Sequence, residues 1–125
     1  MSDFKENQEY LSQIVGEQLS GVNFVMDYLQ LQFNDLSLTV LTPLVVHETN
    51  RNLGLGDLSY RDSLCERITH IVTDVALAED TLNVEFDDDS KFSIALTDEG
   101  RAGNEALVFQ FREGSDMRVL VIHIV

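Results

Sequence analysis

The chain has 125 residues, 44% hydrophobic and 24% charged, which predicts one globular domain over residues 1–125. Its 8 Lys and Arg against 22 Asp and Glu give a net charge of −14, and the basic residues are scattered, so we expect no binding to nucleic acid or to a membrane surface. The single cysteine, Cys65, excludes an internal disulfide, and the acidic start lacks a signal-peptide pattern, so we predict a cytoplasmic protein.

The first half of the chain is predicted to form a helix followed by strands. Phe4, Leu11 and Ile14 fall on one face of a helix that Gly16 can end. The hydrophobic period then changes from 3.6 to 2, which indicates antiparallel strands with one buried face. The predicted strands cover residues 19–25, 28–33 and 38–46.

The second half repeats this order after a loop, rich in turn residues, over residues 50–58. Ser59 and Asp62 form a sequence similar to a capping box, which predicts the start of a second helix. Leu64 and Cys65 lie on its apolar stripe, so we expect Cys65 to be a small buried hydrophobic residue. The strands predicted after this helix cover residues 71–77, 81–86 and 91–96.

The chain is predicted to end in a β-hairpin over residues 106–125, with strands at 106–111 and 117–125. Both faces of the last strand are apolar, which predicts a central strand or one covered on both sides. Apart from His123, residues 119–125 of this strand carry no charged residue that would protect an exposed edge. The alternative to a covered strand is therefore a homodimer.

The two halves match at an offset of 53 residues, which predicts an internal repeat over about residues 2–46 and 58–97. The shared text is Asp-x-Leu-x-Leu/Val-x-Phe-Asn/Asp-Asp, and it begins at Asp27 and at Asp80. The predicted fold class is therefore α+β. It consists of a duplicated unit, a helix plus three antiparallel strands, and a C-terminal hairpin, with a sheet that is either open or curled into a partial barrel.

Asp27, Tyr28 and Asp80 are the candidate ligand-binding residues. Asp27 and Asp80 occupy equivalent positions of the repeat, and two carboxylates that meet near a pseudo-twofold axis can act as an acid and a base. With Tyr28 they would line a pocket between the two copies. Each Asp also lies at a predicted hairpin turn, where aspartate is common for structural reasons.

Asp87, Asp88 and Asp89 form an acidic run in a predicted hairpin turn and are the candidate partner-binding residues. The run lacks the spacing of a calcium loop, and charged residues in such turns are usually only solvated. The histidines and the single cysteine also lack zinc-ligand spacing, so we expect no metal and no cofactor. The three histidines are His47, His70 and His123.

Three segments of the chain resemble a family of small uncharacterised bacterial proteins. In that family an Asp-Tyr-x-x-Leu strand precedes a Tyr-x-Asp-x-Leu-Cys helix, and the resemblance covers about residues 14–97. It implies a shared fold pattern and carries no activity. The segments are Asp27-Tyr-Leu-Gln-Leu-Gln-Phe33, Thr42-Pro43 and Tyr60-Arg-Asp-Ser-Leu-Cys-Glu-Arg-Ile68.

The charge and the lack of a catalytic constellation favour a non-enzymatic, acidic binding module of the bacterial cytoplasm. Its partner would be a basic protein that it masks in the manner of an immunity protein or an inhibitor. The first alternative is a small-ligand-binding domain with its pocket between the two copies. A second alternative is a small enzyme that uses the paired carboxylates Asp27 and Asp80.

Overall fold

The computed structural model describes residues 2–26, 28–97 and 105–124, which contain two α-helices and ten β-strands. Helix α1 spans Ser2–Leu11 and continues into a 3₁₀ turn over Ser12–Ile14, and helix α2 spans Tyr60–Glu66. The strands are β1 (Gly21–Val25), β2 (Tyr28–Phe33), β3 (Leu36–Val40), β4 (Leu44–His47), β5 (Asn52–Leu53), β6 (Val72–Leu77), β7 (Thr81–Phe86), β8 (Lys91–Ala95), β9 (Glu105–Glu113) and β10 (Asp116–His123).

The strands form two five-stranded antiparallel sheets. The first sheet has the order β1-β2-β3-β9-β10, and the second has the order β6-β7-β8-β4-β5. Each sheet contains three consecutive strands from one half of the chain and is completed by a hairpin from the other half. Val46 of β4 lies opposite Phe92 of β8, and Phe109 of β9 lies opposite Leu38 of β3. The chain therefore passes between the sheets twice, after β3 and after β8.

Alternating side chains from both sheets build one contiguous hydrophobic core. Phe33 in β2 and Phe86 in β7 are buried, and each follows an exposed neighbour in its strand, as half-buried strands require. Leu11 of α1 and Leu64 of α2 are fully buried in the same cluster. The core therefore joins both helices and both sheets.

The segments that follow the two helices lie side by side and exchange hydrogen bonds. The Gly16 amide donates to the Val72 carbonyl (2.8 Å), and the Thr69 amide donates to the Leu19 carbonyl (2.8 Å). The donor of the second bond lies 53 positions after the donor of the first, and its acceptor lies 53 positions before the acceptor of the first. The two bonds are therefore related by a local twofold axis. A second pair with the same relation joins the Leu19 amide to the His70 carbonyl and the Val72 amide to the Glu17 carbonyl.

The mixed class with antiparallel sheets is confirmed, but the described strands form two separate sheets and no closed barrel. The difference arises where one strand was expected over residues 38–46. Strand β3 ends at Val40, and β4 begins at Leu44 in the other sheet. Pro43 has no amide hydrogen to donate to a ladder, so the pairing breaks there and the chain crosses.

Two predictions about burial are wrong. Cys65 is exposed, because the buried residues of the short helix α2 are Tyr60, Ser63 and Leu64, and its apolar stripe is narrower than expected. Strand β10 is the edge of the first sheet rather than a covered strand, and Val119 is 58% exposed. None of the described helices has the length and apolar character needed to cross a lipid bilayer.

Candidate functional site

A polar pocket of about 380 Å³ opens at one end of the second sheet. Its walls come from the segment after β4, from the end of α2 and from the turn between β7 and β8. These three segments are distant in sequence, and they meet because β4 crosses over to pair with β8. The pocket is lined by Glu48, Thr49, Asn50, Arg51, Glu66, Arg67, Asp88 and Ser90.

Glu48 is the centre of the hydrogen bonds around this pocket. Its Oε1 accepts a bond from Arg51 Nε (2.7 Å), and its Oε2 accepts bonds from Ser63 Oγ (2.6 Å) and Arg67 Nη2 (3.1 Å). The Ser63 hydroxyl and then the Arg51 guanidinium lower the pKa of Glu48 to about 2. Glu48 is therefore a fixed anion at any pH above the acid range.

Arg67 is the most deeply buried charge of the pocket, with only 7% of its side chain exposed. Its Nε lies 3.2 Å from Asp88 Oδ2, but neither Nε nor Nη1 has a hydrogen-bond acceptor among the described residues. A buried donor without an acceptor costs roughly 1 to 3 kcal/mol. The network therefore compensates the charge of Arg67 without satisfying all of its donors.

The acidic run 87–89 is divided between two environments. Asp88 is half-buried and turns toward Arg67 and Ser90, whereas Asp87 and Asp89 are exposed. Burial raises the pKa of Asp88, but hydrogen bonds from the hydroxyl and amide of Ser90, with the charge of Arg67, outweigh burial and lower it. The three predicted partner-binding residues thus lie together, with Asp88 in the pocket wall and the other two at its outside.

His70 lies between two carboxylates of this run. Its Nδ1 is 2.7 Å from Asp87 Oδ1, its Nε2 is 3.8 Å from Asp88 Oδ2, and the three residues offer ligand atoms within 4.8 Å of one another. A structural zinc site needs four ligands. A metal bound to Asp88 Oδ2 would also lie close to the Arg67 guanidinium, 3.2 Å from that oxygen. The arrangement fits an ion-pair network better than a metal site.

The same place in the first half of the chain is apolar on its helix side. Ser63 lies 53 positions after Tyr10, and Arg67 lies 53 positions after Ile14. Ile14 is fully buried in the hydrophobic core, whereas Arg67 is buried among charges. One helix end is therefore closed by apolar packing and the other by a guanidinium.

The strand side shows the same contrast. In the second sheet Val46 of β4 pairs with Phe92 of β8, as Phe109 of β9 pairs with Leu38 of β3 in the first sheet. Val46 and Phe109 therefore hold equivalent positions. Two residues later, Glu48 corresponds to Phe111. Phe111 is buried and stacks on Tyr10, with 4.4 Å between the ring centroids. The fold thus closes one sheet end with stacked rings and the corresponding end of the other sheet with charged residues.

Two of the three residues predicted for a pocket between the copies are described, and they belong to different sheet regions. Asp27 lies outside the described residues. Tyr28 is half-buried at the start of β2 in the first sheet, and Asp80 is exposed in the turn before β7 of the second sheet, where it accepts a hydrogen bond from Thr81 Oγ1. No hydrogen bond joins Tyr28 to Asp80 among the described residues, and neither lines the polar pocket.

Glu48, Arg51, Ser63 and Arg67 were not predicted from the sequence. The signal that could have found them is a mismatch in the repeat, because Arg67 falls where the first half has the apolar Ile14. The repeat is defined by matching apolar residues, and a charge at an apolar position lies outside that pattern. A mismatch of this kind marks a position where the two halves differ in role.

The pocket combines fixed negative and fixed positive side chains. Its two inner carboxylates, Glu48 and Asp88, have lowered pKa values and are engaged by donors of the protein, so neither is suited to carry a proton near neutral pH. Arg51 and Arg67 provide fixed positive charge beside them. Comparison with protein-family models, curated proteins and solved structures finds no match to this chain.

Proposed function

We propose that this chain is a non-enzymatic binding module that holds a basic protein partner at the polar end of its second sheet. The surface consists of the polar pocket and of an acidic strip beside it, which we define as Asp74, Glu85, Asp87 and Asp89. All four side chains of the strip are exposed. The net charge of −14 adds long-range attraction for a basic partner.

The pairing of Asp74 with Glu85 is the observation that carries this proposal. The two residues lie directly opposite each other on neighbouring strands, so their carboxylates stand on the same face of the sheet. Like charges in this position destabilise a sheet. Lys91, opposite Glu85 on its other side, offsets part of this repulsion. A cationic partner bound beside the two carboxylates would reduce the remaining repulsion.

The buried charges of the pocket support a role in binding. Replacing a buried ion pair by apolar residues is often neutral or stabilising. The first half of the chain has that apolar solution at Tyr10, Ile14 and Phe111. Keeping Glu48 and Arg67 in the second half therefore favours a recognition role over a purely structural one.

We infer further that the two halves, residues 2–53 and 60–123, arose by duplication of a helix, a three-stranded meander and a hairpin. The two sheets have the same strand order when the halves are exchanged. The twofold-related hydrogen bonds around Gly16 and Thr69 also support this origin. In this view one copy kept an apolar end and the other acquired the polar pocket.

A cytoplasmic location is part of the proposal. Its support is the single cysteine, Cys65, which is exposed and has no partner for an internal disulfide. Structural disulfides are rare in the reducing cytoplasm and frequent in small secreted domains.

The test is capture of partners from a lysate of the source cells by three tagged proteins. They are the wild type, a site variant with Asp74, Asp87 and Asp89 changed to Asn, and a control with Glu6 and Glu9 changed to Gln and Asp116 to Asn. The two variants lose the same charge, and the residues changed in the control are exposed and belong to α1 and β10. Captured proteins are identified by mass spectrometry at low (~50 mM) and high (~500 mM) salt.

We expect a basic protein to bind to the wild type and to the control at low salt, and to be lost with the site variant and at high salt. Equal capture by the site variant and the control would show that net charge alone is responsible. That result would overturn the assignment of the surface to the second sheet. Capture that is insensitive to salt would overturn the electrostatic mechanism.

A further inference from the structure

Several hydrogen-bond donors of the polar pocket have no acceptor within the described chain. Both oxygens of Glu48 and the Oδ1 of Asp88 already accept hydrogen bonds from the protein. Arg51 uses its Nε for Glu48, and its two terminal amino groups have no acceptor among the described residues. Glu66 is the one lining carboxylate that accepts no hydrogen bond within the described chain. The pocket thus presents free N–H groups with a single free carboxylate beside them.

Arg67 independently points to a missing acceptor. Its side chain is more than nine-tenths buried in the wall of the pocket, and its Nη1 donates to nothing among the described residues. Buried donors in folded proteins are nearly always satisfied. An oxygen atom of a molecule bound in the pocket would supply the acceptor that this donor lacks.

Two guanidinium groups of the pocket bind a single carboxylate. Arg51 binds one oxygen of Glu48 and Arg67 binds the other. A planar carboxylate is the group that guanidinium N–H donors recognise best. Both arginines line the pocket, so a second carboxylate that enters it would meet N–H donors that Glu48 leaves free.

The surroundings decide what else a bound molecule must carry. Glu66 lines the pocket, Asp87 and Asp89 lie just outside it, and the whole chain has a net charge of −14. This field repels a simple anion and most strongly a phosphate dianion. A molecule that also carries a cationic group avoids that repulsion, because its positive end can face Glu66 and the acidic strip.

We propose that the polar pocket binds a carboxylate from a ligand that also carries a basic group, with Arg51 and Arg67 as the carboxylate receptors and Glu66 as the receptor of the cation. This chemistry has two sources, a free basic amino acid or the C-terminal basic residue of a protein. The second source deepens the proposed function, on which it then rests, because a basic partner would insert its C-terminus into the pocket.

The experiment measures binding by isothermal titration calorimetry to the intact protein with four probes. They are L-arginine, its decarboxylated form agmatine, a short peptide ending in arginine with a free carboxylate, and the same peptide with an amidated C-terminus. Each pair differs only in the carboxylate. The proteins are the wild type, Arg51→Gln, Arg67→Met and the control Arg118→Gln, an exposed arginine of β10 in the first sheet.

We expect L-arginine to bind at least about tenfold more tightly than agmatine, or the free peptide to bind at least about tenfold more tightly than the amidated peptide. Arg51→Gln should abolish this ratio, and Arg118→Gln should preserve it. Arg51 is 47% exposed, so its variant should fold even if Arg67→Met does not. Equal binding with and without the carboxylate, no binding by any probe at ~10 mM, or an unchanged ratio in Arg51→Gln would overturn the proposal.

The probes also separate the two sources and the two proposals. Binding of free arginine as tightly as the peptide identifies an amino-acid site, whereas binding of the peptide alone identifies a protein C-terminus. If the probes bind equally with and without a carboxylate, but a basic partner is still captured in a salt-dependent way, the pocket assignment is overturned and the proposed function is not. A carboxylate-dependent arginine site without any basic partner would overturn the proposed function but not the pocket.

Discussion

Gly16 and Thr69 lie 53 positions apart and have the same left-handed backbone, with φ angles of 89° and 85°. Each donates its amide hydrogen to the other half of the chain, Gly16 to Val72 and Thr69 to Leu19. This conformation is natural for glycine and costs energy for threonine, whose side chain is branched at Cβ. The same backbone turn is therefore relaxed in one half and strained in the other.

The substitution Thr69→Gly should raise the free energy of unfolding by about 0.5 to 1 kcal/mol. Relief of the left-handed conformation, roughly 1 to 2 kcal/mol, exceeds the entropy that glycine adds to the unfolded chain. Urea denaturation of the variant and the wild type measures the difference. A lower stability of Thr69→Gly would show that the turn is not strained.

Gly16→Ala is the matched substitution and should lower stability by about 1 kcal/mol. A Cβ at Gly16 would meet no atom within 4 Å, so the cost comes from the backbone conformation and not from a clash. A neutral result would mean that the first turn can relax to another conformation.

The strands β2 and β7 could be predicted because their alternation of apolar and polar residues is local and is repeated at the offset of 53. The crossing of β4 into the other sheet could not. Its signal is Pro43, which breaks a ladder but does not say where the next strand pairs. The order of strands in a sheet depends on contacts distant in sequence, and a periodic pattern does not contain them.

The polar pocket could not be predicted from the sequence for the same reason. Glu48, Arg67 and Asp88 lie in three different segments, and each looks like an ordinary surface charge in the sequence. Only the crossing of β4 brings them within hydrogen-bond or ion-pair distance of one another. The acidic run 87–89 was found because its residues are adjacent, but the inward turn of Asp88 depends on Arg67.

Removing the buried guanidinium should destabilise the fold. Arg67→Met keeps the length of the side chain but leaves Glu48 and Asp88 without its charge, so we expect a loss of about 2 to 4 kcal/mol. Arg118→Met, an exposed arginine paired with Glu113, should change stability by less than about 0.5 kcal/mol. Both values can be measured by urea denaturation.

A double-mutant cycle separates the pair from its surroundings. Because Arg67 donates to Glu48, the loss in the variant that combines Arg67→Met with Glu48→Gln should be smaller than the sum of the single losses by about 1 kcal/mol or more. Additive losses would show that Arg67 is stabilised mainly by Asp88 or by packing.

The stability contributed by Glu48 should depend on pH in a defined direction. Hydrogen bonds from Ser63 and Arg51 lower its pKa from 4.5 to about 2 in the folded protein. A lowered pKa contributes stability that is fully present above the unfolded value and is lost as the pH falls toward the folded value. Wild type should exceed Glu48→Gln by about 2 kcal/mol near pH 7, a figure reduced for solvent contact.

This difference should be constant above about pH 5 and should disappear as the pH approaches about 2. The measurement is the unfolding free energy of both proteins in urea at several pH values. A difference that does not change between these pH limits would mean that the network does not lower the pKa of Glu48. Comparing the two proteins cancels the contributions of the other acidic residues.

The edge strand β10 predicts a homodimer. It is eight residues long, pairs with β9 alone among the described strands, and exposes Met117 (47%) and Val119 (58%). Antiparallel pairing with a second copy about Val119 would place the two Val119 side chains together and Met117 beside Val121 of the other copy. The long apolar edge would then be covered.

We expect light scattering to show a mass that rises with protein concentration from monomer to dimer. Val119→Lys places a charge at the centre of the pairing and should leave a monomer at every concentration. Met26→Lys is the matched control, because Met26 is 96% exposed and lies outside β10. A monomeric wild type, or a dimer that survives Val119→Lys, would exclude pairing through this edge.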